Sequence, residues 1–296
     1  MMRARIIYNP VSGKAQFEKL LPEVLKKLEA HGYETSCHAT SSHEDAIRAA
    51  KLASKRGFEI VVAVGGDGTI NAVVHGISQS PIPPKLGIIP AGTTNDFARA
   101  MGIGEDMLDA VDIILRNRVH RVDVGRVGNK FFINIAAGGV LTEVSYTAPT
   151  KLKAVVGELA YIIKGLEKLP TFQPVYAEIQ YDEHVFSGEI MVFLISNTNS
   201  VGGFERFAPI ASAHDGKFDL IIVKKGSIPE LVDVARKIVT GKHLEHPLIH
   251  YVHAKRIKVN APMGMPINLD GEYGGTVPAE FANLHHHLEI FLPGSE

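Results

Sequence analysis

Cysteine is nearly absent: Cys37 is the only one in 296 residues. No intrachain disulfide can form, and a reducing, cytoplasmic compartment is expected. An excess of charge is missing too, since 31 basic and 32 acidic residues leave a formal net charge of -1. Such a balance gives no global field toward nucleic acid or an anionic membrane, so nucleic-acid partners are not expected and any lipid contact must be local. No uninterrupted apolar run approaches the roughly 18 residues needed to cross a bilayer. The opening Met1–Pro10 carries too few apolar residues for a signal sequence and reads as a first core strand. Internal repeats and Pro/Gly/Ser-rich linkers are also lacking.

The hydrophobic content is 45%, enough for a sizeable core, and this length favours two domains. From Arg5 to about Arg121, short β-branched runs (Ala4–Tyr8, Tyr33–His38, Ile60–Val64, Leu86–Ile89) alternate with helical patterns at Phe17–Ala30 and Glu44–Lys55. That rhythm predicts an α/β nucleotide-binding domain with a parallel sheet over residues 1–123. After Val122 the pattern becomes strands and tight turns: Val122–Val127 with Lys130–Ile135, then Val175–Tyr181 with Val185–Ile195. Further strands are expected at Phe218–Val223, Lys255–Asn260, Pro266–Leu269 and Leu288–Leu292, interrupted by helices at Leu152–Leu169 and Pro229–Thr240. Residues 124–296 are therefore expected to form a mainly antiparallel β-sandwich domain, with a C-terminal end free to pack back on the first domain.

A buried strand, Ile60–Val64, runs into Gly65-Gly66-Asp67-Gly68-Thr69-Ile70-Asn71 and a helix start. Glycines admit close backbone approach, and N–H groups at a helix start favour phosphate. Asp67 would repel phosphate unless a cation stood between them, which points to Mg²⁺ handling. Two common motifs are excluded. Asn71 stands where the third glycine of G-x-G-x-x-G belongs, and around Gly13-Lys14 neither Tyr8 nor Ala15 fits G-x-x-x-x-G-K-[ST]. Two more loops follow strands, Asn9–Lys14 and Pro90–Phe97, and Thr40 ends another. Each alone is ordinary N-cap turn chemistry. Several on the C-terminal edge of one open sheet point to a ligand site.

In combination these residues resemble the bacterial diacylglycerol kinase family, related to sphingosine kinases and more distantly to NAD kinases. The resemblance rests on Asn9–Gly13, Gly65–Asn71, Ile89–Phe97 and Leu269–Gly275 and runs nearly end to end. It is narrowed to the soluble, diacylglycerol kinase B type by Asn134–Gly139, Val144–Tyr146 and Phe281–Leu284. It implies ATP as co-substrate, contacted by Asn9, Pro10, Val11, Ser12, Gly13, Thr40, Gly66, Asp67, Gly68, Thr69, Ile70, Asn71, Ala72 and Thr93. It also implies a structural Mg²⁺ in the second domain held by the Asp215 carboxylate with backbone carbonyls of Ser212 and Lys217, since a lysine side chain cannot ligate. Without the resemblance, Asp215-Gly216 is a hairpin-type turn.

Phosphoryl transfer needs a base for the incoming hydroxyl. Asp270 and Glu272 flank Gly271 directly after a strand, and in an extended backbone they would share a face. By resemblance one of them takes the proton; Glu272 is preferred and Asp270 kept beside it. The expected reaction is ATP-dependent phosphorylation of diacylglycerol to phosphatidic acid, with transient peripheral contact at the inner face of the membrane; a homodimer is compatible with the sequence. Sphingoid lipid, phosphatidylglycerol or NAD as acceptor, or a non-catalytic nucleotide-binding regulator, are the alternatives. His285-His286-His287 invites a metal reading, but successive strand residues face opposite ways, which argues against a dedicated site. The amphipathic Leu152–Leu169 pattern, with lysines at its flanks, is better explained by packing on the sheet than by membrane insertion.

Overall fold

The computed structural model describes residues 2–139, 173–199, 208–262 and 264–294. The segments Val144–Tyr146 and Leu152–Leu169 lie outside them. The chain divides into two compact units, one of residues 1–124 with 285–296, the other of residues 125–284.

In the first unit, β1 (Met2–Tyr8), β2 (Tyr33–Ala39), β3 (Ile60–Gly65) and β4 (Lys85–Pro90) form a parallel sheet in the order β2-β1-β3-β4. The end of β15 (Ala279–Phe291) adds to β4 in parallel through Ile290 and Leu86. Every residue of β3 is buried, which is why its sequence reads Ile-Val-Val-Ala-Val without a polar break. Helix α1 (Gln16–Ala30) turns Phe17, Val24 and Leu28 inward. It is tied to α5 (Met107–Leu115) by Lys27 Nζ and Asp112 Oδ1 at 2.6 Å. Helix α2 (His43–Lys55) packs its stripe of Ala46, Ala49, Ala50 and Ala53 toward α3 (Asp67–Ile77). Small residues there allow a close helix approach: a Cβ at Gly76 would sit 2.5 Å from both Ala50 Cβ and the Ile47 carbonyl oxygen. A short α4 (Asp96–Ala100) follows the β4 loop.

The strand pairs within the second unit are antiparallel. The long β9 (His184–Ser196) pairs first with β8 (Val175–Tyr181), then lies between β7 (Ile135–Gly139) and β10 (Phe218–Lys224). Around them are β11 (Ile249–Ala254), β12 (Arg256–Asn260), β13 (Pro266–Leu269), β14 (Glu272–Thr276) and the first part of β15. Alternation along β9 and β10 builds two cores. Phe193, Ile195, Leu220 and Ile222 enter one with Phe132, Phe218 and Phe281. Val192, Ile221 and Val223 enter the other, covered by Leu231 and Val234 of α6 (Ile228–Thr240).

Three expectations change. Strand Lys130–Ile135 is broken into β6 (Lys130–Phe132), which pairs with β5 (Val119–Val127), and β7. The break falls where Asp270 captures backbone N–H groups that a ladder would otherwise use. Leu288–Leu292 is the tail of a 13-residue strand, not a separate one. Helices α4 and α5 and strands β11 and β14 were not foreseen; Met107–Leu115 reads as a plain apolar run, and β11 is rich in histidine rather than β-branched residues.

Alanine normally improves a helix interior over glycine by about 1 kcal/mol. At Gly76 the neighbouring backbone cannot yield, so overpacking of roughly 1–3 kcal/mol should win and Gly76→Ala should lower the urea midpoint.

Candidate functional site

The C-terminal ends of β1, β2 and β3 open onto a cleft of about 580 Å³ lined by Asn9, Pro10, Val11, Ser12, Thr40, Gly66, Gly68, Thr69 and Ala72. Ser41, Ser42, His43 and Ala46 complete the lining. Those four were not named from the sequence, although Ser42 three residues before Asp45 is a helix-start signal, and the Ser42 Oγ does accept the Asp45 N–H at 3.1 Å. Five expected nucleotide residues do not line this cleft. Ile70 and Asn71 are buried in the unit's interior, because helix α3 turns that face to the core. Asp67 is the first residue of α3, Gly13 sits in a short 3-10 helix after β1, and Thr93 in the loop after β4.

The glycines divide by role. A Cβ at Gly65 would strike the Thr69 side chain at 2.5 Å. A Cβ at Gly92 would fall 2.4 Å from Gly66 Cα, and one at Gly66 would meet Gly92 Cα at 3.1 Å. These glycines let two loops lie backbone against backbone. Gly13, with φ +55°, makes the same kind of contact, its absent Cβ pointing 2.9 Å from the Ala91 carbonyl oxygen. Only Gly68 of the turn faces open space, so it is the one whose missing side chain leaves room for a ligand. Helix α3 begins with Gly66 as N-cap and no side-chain cap, which keeps its N-terminal dipole available to an anion. Asn95, left-handed at φ 51°, clamps the β4 loop by accepting the Gly92 N–H at 2.9 Å and donating to the Gly92 carbonyl at 3.1 Å.

Asp67 Oδ1 accepts the Phe97 N–H at 3.2 Å and so joins the α3 start to the β4 loop. Burial, then the nearby Asp96 charge, pushes its carboxyl above the ordinary value. Two acids in this setting suit a divalent cation, which relieves both terms. On the other side of the cleft, Asp45 accepts from Ser41 N at 3.0 Å, Ser41 Oγ at 3.2 Å, His38 Nε2 at 3.1 Å and Arg48 Nη2 at 3.0 Å. The Ser41 N–H, followed by His38 and Arg48, holds its carboxyl down to about 2. Asp45 thereby fixes the Ser41–Ser42 wall.

In the second unit, Asp270 and Gly271 form the two-residue turn between β13 and β14, both with positive φ (50° and 98°). Asp-Gly is the residue pair that a type I′ hairpin turn favours. The extended geometry expected for Asp270 and Glu272 is therefore replaced by a turn, and the two carboxylates do not share a face. Asp270 folds back: Oδ2 accepts the Ile133 N–H at 2.7 Å, and Oδ1 accepts those of Asn134 and Ile135 at 2.9 and 2.7 Å. Glu272 opposes Leu269 in the hairpin and is exposed. Behind this, Asn197 Nδ2 donates to the Ile133 carbonyl at 2.9 Å and Thr198 Oγ1 to Asn134 Oδ1 at 2.9 Å, both fully buried.

The Ser212–Lys217 loop contains the Asp215-Gly216 turn, with Gly216 at φ 73° and Asp215 Oδ1 accepting the Lys217 N–H at 2.9 Å. The Lys217 carbonyl accepts from Asn283 Nδ2 at 3.1 Å. Buried Asp219 lies close enough for the Asp215 charge to help raise it, after burial itself. An exposed carboxylate beside a second acid and a carbonyl with a remaining lone pair is a donor set that suits a hard cation. The histidine triplet departs from strand alternation. His286 has φ 56°, and this turns its ring onto that of His285, centroids 3.6 Å apart. Buried Asp123 accepts the His286 N–H at 2.8 Å and sits 2.9 Å from His285 Nδ1. Ligand atoms of these three residues lie within 4.8 Å of one another, a spacing compatible with a metal ion.

Residues 3–127 match the family model of the diacylglycerol kinase catalytic domain, and residues 135–292 that of the YegS C-terminal NAD kinase β-sandwich-like domain. The chain is 52% identical over 294 residues to the diacylglycerol kinase of Bacillus subtilis (strain 168), covering 99% of this chain and 97% of the relative. It is 50% identical over 290 residues to the diacylglycerol kinase of Staphylococcus haemolyticus, covering 98% and 88%. Two solved structures from Bacillus anthracis share the fold. One superposes with a TM-score of 0.86 at 26% identity over 98% of this chain and 95% of that one. The other, described as a diacylglycerol kinase, gives 0.83 at 24% identity over 98% and 97%.

Gly68→Ala should leave stability unchanged or slightly raised, because the position is helical and open, yet raise the KM for ATP in a steady-state assay. Asp45→Asn should raise that KM roughly tenfold with little change in kcat, the scale of losing one charged hydrogen bond. A depressed carboxyl contributes stability above its unfolded value near about 3.9 and loses it as pH falls through the folded value. The wild-type advantage over Asp45→Asn in thermal midpoint should therefore close as pH drops toward about 2.

Proposed function

The chain belongs to the diacylglycerol kinase family, and on that premise we propose that it transfers the γ-phosphoryl group of ATP to the free hydroxyl of diacylglycerol, giving phosphatidic acid and ADP. The observation that carries the nucleotide half is the cleft at the ends of β1, β2 and β3, with an uncapped helix start and an open Gly68. Its acceptor is supported by the near full-length similarity to enzymes named diacylglycerol kinase. Among the described residues no helix is long and apolar enough to cross a membrane; in this reading the enzyme meets its lipid through peripheral contact.

In this reading Asn9 to Ser12, Thr40 and Gly66 to Thr69 hold the nucleotide, phosphates toward the α3 N-terminus. Asp67, with Asp96 beside it, holds the Mg²⁺ that accompanies ATP; when bound, that ion neutralises charge on the β and γ oxygens. Ser212, Asp215 and Lys217 hold a second, structural Mg²⁺. Glu272 accepts the proton of the lipid hydroxyl as its oxygen bonds to the γ phosphorus and the bond to ADP breaks. Asp270 is assigned a positioning role, because both of its oxygens already accept main-chain N–H groups. Its grip on Ile133–Ile135 sets the hairpin that carries Glu272.

Purified protein with Mg-ATP and diacylglycerol in mixed micelles provides the test, with γ-labelled phosphate followed across a panel of diacylglycerol, sphingosine and phosphatidylglycerol and NADP formation read in parallel. Transfer to diacylglycerol alone is expected; preferential labelling of another acceptor would reassign the substrate. Glu272→Gln should lower kcat by a factor on the order of 10² or more at unchanged stability. Asp270→Asn should instead destabilise the fold by roughly 1–3 kcal/mol, since an amide cannot accept three N–H groups and brings its own donors to them. Normal turnover in Glu272→Gln would remove it as the base.

A further inference from the structure

A second concavity of the first unit, about 260 Å³, runs between the β1–β2 edge of the sheet and α2, apart from the nucleotide cleft. Its lining includes three guanidinium groups, Arg5, Arg48 and Arg56, against one carboxylate, Asp45. That carboxylate is already committed to Ser41, His38 and Arg48. Neither Arg5 nor Arg56 pairs its guanidinium with a carboxylate among the described residues. Glu59, the other acid near this end, is spent on the Arg3 N–H at 2.6 Å. Arg3 stacks on Phe58 with its guanidinium carbon 4.2 Å from the ring centre and donates to the Arg56 carbonyl at 2.9 Å, which holds the α2 end in place. Arg5 is half-buried on its strand; burial disfavours its charged form, nearby Cys37 opposes this, and the Arg56 charge adds to it. Two like charges lining one hollow disfavour each other, and an anion between them recovers that energy.

We propose that this groove is a binding site for a phosphate monoester dianion, with Arg5 and Arg56 as its two forks and Arg48 at its rim. Planar guanidiniums pair with phosphate oxygens bidentately, which a carboxylate satisfies only at one fork. The volume exceeds that of a bare phosphate, and Ala49, Leu52 and Phe58 provide an apolar wall suited to the carbon stem of an ester rather than to inorganic phosphate alone. A headgroup on a lipid and a soluble glycerol phosphate offer the same chemistry. The site is independent of the acceptor assignment, because its binding is read without turnover.

The test is calorimetric titration of the full chain, its nucleotide cleft filled with ADP, using sn-glycerol 3-phosphate, and in parallel co-sedimentation with phosphatidylcholine vesicles with or without phosphatidic acid. The expected result is binding of at least one of these probes by the wild type and at least a tenfold weakening in Arg5→Gln/Arg56→Gln. Glycerol phosphate alone, or phosphatidic acid vesicles alone, would each assign the source while upholding the site. Arg5→Gln should also raise the thermal midpoint, because it removes an uncompensated charge pair. Arg56→Gln, at an exposed position, keeps the test open if the double variant folds poorly. No binding of either probe by the wild type, or equal binding by the variants, would overturn the proposal.

Discussion

A carboxylate accepting main-chain N–H groups from a loop distant in sequence is the interaction on which both units depend. Asp67 reaches Phe97, Asp123 reaches His286, and Asp270 reaches Ile133, Asn134 and Ile135. Asp182 takes the N–H groups of Lys255 and Arg256 in the same way. Loops at strand ends have N–H groups that no ladder satisfies, and leaving them buried and unpaired costs as much as a lost hydrogen bond. A fixed negative charge answers several at once and holds the loop in one geometry.

The consequence is that Asp67, Asp123, Asp182 and Asp270 serve the architecture, each holding a loop through the N–H groups it has taken. Asp270 is saturated and anchors. Asp67 accepts the Phe97 N–H at 3.2 Å, and burial, then the Asp96 charge beside it, raises its carboxyl. Glu272, the residue after the turn, is exposed and pairs with Leu269 across the hairpin. Three acids in two short motifs thus meet three different surroundings, set by local geometry rather than by intrinsic differences between Asp and Glu.

Glycine acts as the counterpart. Where Gly66 meets Gly92 and Gly76 meets α2, the absent side chain serves contact between protein segments. Within the Gly65–Thr69 turn only Gly68 faces open space. A glycine-rich turn is easily read as made for its ligand throughout, yet Gly65 here makes room for Thr69 of the same turn and Gly66 for the neighbouring loop. The ligand surface is what remains once the loops have packed.

The amino-acid sequence by itself determined the alternation of strand and helix in the first unit, the antiparallel character of the second, and the Asn9, Thr40 and Gly66–Thr69 segments of the cleft, because periodicity and turn chemistry are local properties. It also carried Asp270 and Glu272 as a pair. Only the tertiary structure decided that they differ, since the type I′ turn sends one carboxylate back to residues 133–135 and leaves the other in solvent. Likewise the burial of Ile70 and Asn71, the lining by Ser41–His43, and the stacking of His285 on His286 depend on which elements meet and on a positive φ that histidine rarely adopts. Apart from the stack of the adjacent His285 and His286, whose backbone the Asp123 carboxylate holds from 163 positions away, such contacts join residues far apart in the chain, and no window of sequence contains both partners.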